Sequence, residues 1–460
     1  SVIRVRNLMA QQQFNIQRLG AVFALILGLC ACGGGGGSSA APRLQPSPTV
    51  VEPTTPPDTT AYIMDQFFPG KNFAGLRSLA RAANPGNPIT NTLINCTVLV
   101  TEDNLCSFNQ IPLLGMETSA PTVDQVMDRV LVSHDWMAVR MREVFNEMPP
   151  ELLLIMRGIT AIVISYDIRP SFYWSGSGAI YIDPDRLWLT TAEQLTIDPA
   201  PDYRADLGNV FLFTMPARYV ANGDTDLRSL NRDLSSISMR LAGLFYHELA
   251  HANDYYPPGR LASIDRTVPM YLATSANGLP SNLLQGTFPL TSVLMDRLAG
   301  VSFRSETVRL ADQSLTAEDI AAEFPLDVAN DFYSYSSSRE DLAMLFEEVM
   351  MYYSYGLDRD VAVTDLPANL ESCSQLRVAW GQRNRVAQTN ILPRATLILE
   401  ALLPELAAAV TLQLDDVVPT QMRVDEDFCT NILVSPSATR SLVLPGAVNT
   451  QLPPLFQTYL

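Results

Sequence analysis

The chain has 460 residues, 47% of them hydrophobic, and a formal net charge of −17, with Lys71 its single lysine. Such a length and composition can bury one large core or two moderate ones. The acidic balance and the lack of a basic run speak against a nucleic-acid interface, and against adhesion to anionic lipid through charge.

Arg4, Arg6 and Arg18 precede an apolar run over 21–29 that is too short to span a bilayer as a mature helix. It reads as the h-region of a signal peptide, with Met9 readable as the start. Leu29-Cys30-Ala31-Cys32 resembles the lipobox of bacterial lipoproteins. The resemblance implies a lipoprotein signal peptide over 1–31, cleavage before Cys32 and lipid on its thiol. It places the globular part outside the cytoplasm at the cell envelope, anchored to the outer membrane where the source has one. Cys30 fits less well, because the bulky Leu29 precedes it, and an ordinary secretory signal is the alternative. Losing Arg4, Arg6 and Arg18 with the signal takes the charge from −17 to −20, so lipid rather than electrostatics has to anchor the chain. Residues 32–60, a glycine run followed by Pro and Thr, read as a flexible tether.

Residues 61–120 are punctuated by Pro, Asn and Gly and carry Cys96 and Cys106. With Cys373 and Cys429 they make an even set in an exported chain, which favours disulfides over a metal site. Cys96 to Cys106 reads as a strand and turn closed on itself. The expected pairs are therefore Cys96–Cys106 and Cys373–Cys429, with the two other connectivities open. Residues 123–147 have helical period and stop at Pro149-Pro150. A short helix over 151–157 leads to a β-branched strand over 159–166. A second strand starts at Gly178, with Pro184 as a bulge, and its part around Ala179–Ile182 is expected at a sheet edge. Helices are expected over 233–254, 338–353 and 396–412, within a C-terminal region, 357–460, that is mostly helical with irregular turns.

Two of the three histidines stand in His247-Glu248-Leu249-Ala250-His251. Four residues apart on a helix, they share a face and can converge on one Zn²⁺, while Glu248 can reach a water there as general base. Glu248 also falls in the Leu241/Leu244/Phe245/Ala252 stripe, where a carboxylate needs a partner. A buried Glu–His pair without metal is the bland alternative. His134, in the amphipathic 123–147 segment, reads as a hydrogen-bonded histidine rather than a functional donor.

The motif and the order helix, strands, motif helix, later helix resemble the zincin metallopeptidases over residues 121–356. This implies an α+β domain in which an edge strand of a mixed sheet lines the cleft and pairs with substrate. The metzincin branch does not fit, since Pro257 stands where its third histidine falls. Arg339-Glu340-Asp341-Leu342-Ala343-Met344-Leu345-Phe346 resembles a run in some gluzincins, which makes Glu340 the third metal ligand, with Asp341 or Glu347 as alternatives. Ser337-x-x-Glu340 also reads as a capping box. Met344 departs from the family's polar supporting position, and Asp254 is the candidate to replace it and orient an imidazole. Tyr333 and Tyr335 are candidates for stabilising the transition state. The function implied is zinc-dependent hydrolysis of a peptide or protein substrate by an activated water, with Glu248 as general base. An inert zincin-fold lipoprotein serving as an envelope binding or assembly module is the alternative, and a hydrolase of cell-wall amide bonds a third possibility.

Overall fold

Short β-branched runs build the first sheet. In the computed structural model, which describes residues 61–67, 73–200, 210–221, 225–227, 230–274 and 278–431, five strands form it: β1 (Arg81–Ala82), β2 (Val130–Val132), β3 (Ala161–Ile164), β4 (Phe172–Trp174) and β5 (Ala179–Ile182). The segments expected as signal peptide and tether, with Cys32 between them, lie outside the described residues. The spatial order is β1-β2-β3-β5-β4. The inner strands β2, β3 and β5 are parallel, and β1 and β4 close the two edges antiparallel. β2, β3 and β5 are wholly buried, as central parallel strands require. Their alternation sorts two cores. Val130, Val132, Ile162, Ile164, Ile180 and Ile182 face the main helical core, while Leu131, Ala161, Val163, Ala179 and Tyr181 face the disulfide-bearing N-terminal segment.

Four local expectations change here. The edge strand is β4, while Ala179–Ile182 lies inside the sheet between β3 and β4. The single helix expected over 123–147 is broken: a helix over Val123–Met127, then β2, then helix α1 (Asp135–Glu147). Val130-Leu131-Val132 continues the apolar periodicity but gains more by pairing with β3 than by extending a helix. His134 is consequently the residue before α1, with Nδ1 2.9 Å from Ser133 Oγ. Cys96 ends a helix over Thr90–Thr97 rather than sitting in a strand, and the second strand stops at Ile182.

A second sheet is entirely antiparallel: β6 (Phe213–Thr214), β7 (Ala217–Ala221), β8 (Thr225–Asp226), β9 (Asp358–Asp365), β10 (Val378–Arg383) and β11 (Thr420–Gln421). Its long central strand β9 joins β7 to β10. The region after residue 356 is therefore mixed rather than mostly helical, and shares its sheet with the middle of the chain. The pairings of β6 and β7 with β9 are long-range, and local periodicity carries no trace of them.

Helix α2 (Leu234–Tyr255) starts at Asp233, whose carboxylate caps Ser236 N–H at 2.8 Å. Helix α3 (Pro280–Thr287) follows, then α4 (Ser338–Tyr355), capped by Ser337 and ended by Gly356 in the left-handed region at φ 63°. Helices α5 (Leu392–Leu402) and α6 (Ala407–Asp415) replace the one expected over 396–412, since Pro404 falls between them. α2 and α4 pack against each other more extensively than any other pair of helices, and α2 also touches β4 and β5. Disulfides join Cys96 to Cys106 and Cys373 to Cys429. Among the described residues no helix is long and apolar enough to cross a membrane.

Candidate metal centre

Facing positions on α2 and α4 bring His247, His251 and Glu340 together, with one potential ligand atom from each inside a 4.8 Å sphere of mutual separation. Glu340 Oε2 is 3.1 Å from His247 Nε2 and 3.3 Å from His251 Nε2. A tetrahedral ion with bonds of about 2.0–2.1 Å spaces its ligands about 3.3 Å apart, so these separations suit a zinc-sized cation with little movement. Ser337 does cap α4, accepting the Glu340 N–H at 3.2 Å, but the Glu340 side chain turns to the histidines instead of back to the cap. Burial alone would raise the Glu340 pKa; the charges of His251 and His247 outweigh it and hold the carboxyl well below its usual range.

Glu347 lies two turns after Glu340 on the same face of α4. Its Oε2 is 3.2 Å from His247 Nδ1, and its Oε1 accepts from Tyr219 Oη of β7 at 3.0 Å. Burial pushes the His247 imidazole down, yet hydrogen bonds to Glu340 and Glu347 hold its pKa well above the ordinary value. An imidazole between two carboxylates carries two protons without a metal. With one, Nδ1–H would donate to Glu347 and leave the Nε2 lone pair to hold the ion. Residues and geometry fit a divalent cation of zinc type, and nothing in the donor set is soft enough to favour copper(I).

Glu248 is 1% exposed. Its carboxylate accepts the main-chain N–H of Tyr173 on the edge strand β4, and Oε1 has no hydrogen-bond partner. Burial first, and the charge of Glu340 after it, raise the Glu248 pKa against the opposing pull of His247 and His251. A raised carboxylate with one free oxygen beside the three converging groups can take a proton from a water.

The remaining candidates separate. Asp254, expected to orient an imidazole, instead accepts Ser281 N–H and Oγ–H, both at 2.7 Å, and fixes the start of α3. Glu347 has the place at the imidazole. Asp341 is buried against Arg394 of α5, away from the histidines. Tyr335 donates to Asp327 at 2.9 Å and is committed there. Tyr333 stacks on the His247 ring, with centroids 6.3 Å apart and planes 27° off parallel, so it belongs to the site's wall. Burial and the charge of Arg81 lower the His134 pKa. Seven-residue spacing from Glu340 was the signal that could have singled out Glu347 as the imidazole's partner; the contact from Tyr173 N–H to Glu248 is main-chain and has no sequence signal. Comparison with protein-family models, with curated proteins and with solved structures gives no match.

Proposed function

We propose that this chain is a zinc-dependent hydrolase of peptide bonds, a zincin-like metallopeptidase of gluzincin type. The observation that carries the reading is the convergence of His247, His251 and Glu340 from two helices, with the Glu340 carboxylate at separations from both imidazoles that suit a tetrahedral ion. Zinc held there would supply Lewis acidity and make a coordinated water acidic enough to attack at neutral pH. Glu248 takes the attacking water's proton on Oε1 and passes it to the leaving amine. Tyr173 N–H holds the other side of that carboxylate, fixing which oxygen faces the substrate. β4 has a neighbouring strand on one side only, and an extended peptide would pair with its other side through main-chain groups that Glu248 does not take. Two disulfides among the described residues suit an exported domain, anchored through Cys32.

The test is E248Q in zinc-loaded protein. The variant is expected to keep one zinc per chain by elemental analysis and to lose peptide hydrolysis by about 10²–10⁴-fold, the usual contribution of a general base. Wild-type protein that binds no stoichiometric zinc would overturn the proposal. Stoichiometric zinc with no hydrolysis by the wild type points instead to an inert binding module.

A further inference from the structure

Arg339 stands immediately before Glu340 at the start of α4, and its charge reaches Asp254 without closing a salt bridge. Its Nε is buried without a hydrogen-bond partner, and among the described residues the side chain forms no ion pair. A close partner among the described residues is aromatic: the guanidinium carbon lies 5.1 Å from the centroid of the Tyr255 ring. Tyr255 follows His251 by four residues, so His247, His251 and Tyr255 form one line along α2, with Tyr255 about 6 Å beyond His251. The Tyr255 ring is in turn 6.0 Å from that of Tyr173 on β4, the strand whose N–H holds Glu248. The cation therefore sits where the edge strand, the end of α2 and the metal-binding residues meet. Asp254 feels its charge but spends both oxygens on Ser281. A half-buried guanidinium stacked on a ring keeps its hydrogen-bonding edge for a planar anion.

We infer that Arg339 is a substrate anchor that binds a carboxylate of the peptide one or two residues from the bond that is cleaved. One or two extended residues span about 3–7 Å, the scale of the 5.1 Å from the guanidinium to the Tyr255 ring and the 6.0 Å from that ring to Tyr173 of β4. The carboxylate is either the free C-terminus or an Asp or Glu side chain; the chemistry recognised is the same. This inference rests on the hydrolase reading for the direction in which the peptide runs, and on the Arg339 environment alone for the anion.

The test uses the zinc-loaded protein and peptides made in matched pairs, free acid against C-terminal amide, and Glu against Gln beside the cleaved bond. The carboxylate member of one pair is expected to be cleaved with kcat/KM about 10- to 100-fold higher, mostly through KM, as for a charge-assisted pair. The pair that shows the preference identifies the source of the carboxylate. R339Q should bring that ratio close to one, and R339K should keep part of it, with zinc stoichiometry unchanged in both. Equal cleavage of both members of each pair by the wild type, or a preference that survives R339Q, overturns the inference and leaves the hydrolase standing. Calorimetric titration with succinate, with and without zinc, reads the anion site independently of turnover. Wild type should bind at least about tenfold more tightly than R339Q, with R339K between them. If no peptide is cleaved, the hydrolase proposal fails while this titration still decides; equal succinate binding by wild type and R339Q refutes the anchor.

Discussion

Replacing Glu347 tests whether the proposed metal-binding residues are held in place from behind. Its Oε2 lies 3.2 Å from His247 Nδ1 and its Oε1 takes the Tyr219 hydroxyl at 3.0 Å. Both oxygens are used and the side chain is buried. In E347Q an amide oxygen still accepts from Nδ1–H, but the charge that makes the imidazole a stronger donor to metal is gone. Losing such a partner costs about 10- to 100-fold in metal affinity. The conservative variant should fall at the lower end, about tenfold or 1.4 kcal/mol. E347A also frees the ring to turn, and should approach 100-fold. Competition against a chromophoric chelator measures both, with thermal unfolding as a check on the fold. Affinities of E347Q and E347A within about twofold of wild type would falsify the idea that this carboxylate orients the ligand.

Two further outcomes follow from the electrostatics. His247 is held protonated above its ordinary pKa of 6.5 by Glu340 and Glu347, despite burial. Zinc must displace that proton, so affinity should fall as pH drops, approaching tenfold per unit below the raised value. In chelator-treated protein the same shift stabilises the fold fully below pH 6.5 and is lost as pH rises through the raised folded value. Chelator-treated protein should thus melt lower as pH rises across that window, and an upward or flat trend attributable to His247 (absent in H247Q) would count against the assignment. Burial pushes Asp327 up, but N–H donors of Ser292, Val328 and Thr291 and the Tyr335 hydroxyl outweigh it, leaving its pKa below 3.8. Its contribution is present above pH 3.8 and lost as pH falls through the folded value. D327N should cost about 1.5–3 kcal/mol near neutral pH by chemical denaturation, with the difference from wild type shrinking in acid. A cost that does not change with pH would show that shape, not charge, is what matters there.

By itself the sequence determined what short-range physics encodes. Helical spacing put His247 and His251 on one face, and Asp233 and Ser337 marked where α2 and α4 begin. Apolar strands at 159–166 and after Gly178 could be read because their residues are buried on both faces. Tertiary structure decided everything that depends on a distant partner. It put β2 into an apparent helix because β3 was there to pair with it, and gave the sheet edge to Phe172–Trp174. It assembled the second sheet from strands more than a hundred residues apart. The site divides the same way. Two histidines placed to share a ligand are a property of one helix, legible from a spacing of four. Glu340 resembled a ligand in sequence, but only the packing of α4 on α2 brings its Oε2 within 3.3 Å of both imidazoles. That packing also turned Glu347 to His247, while α3 drew Asp254 to Ser281 and α5 drew Asp341 to Arg394. A carboxylate buried on a helix takes whichever donor the neighbouring element presents, and sequence spacing along its own helix does not name that donor.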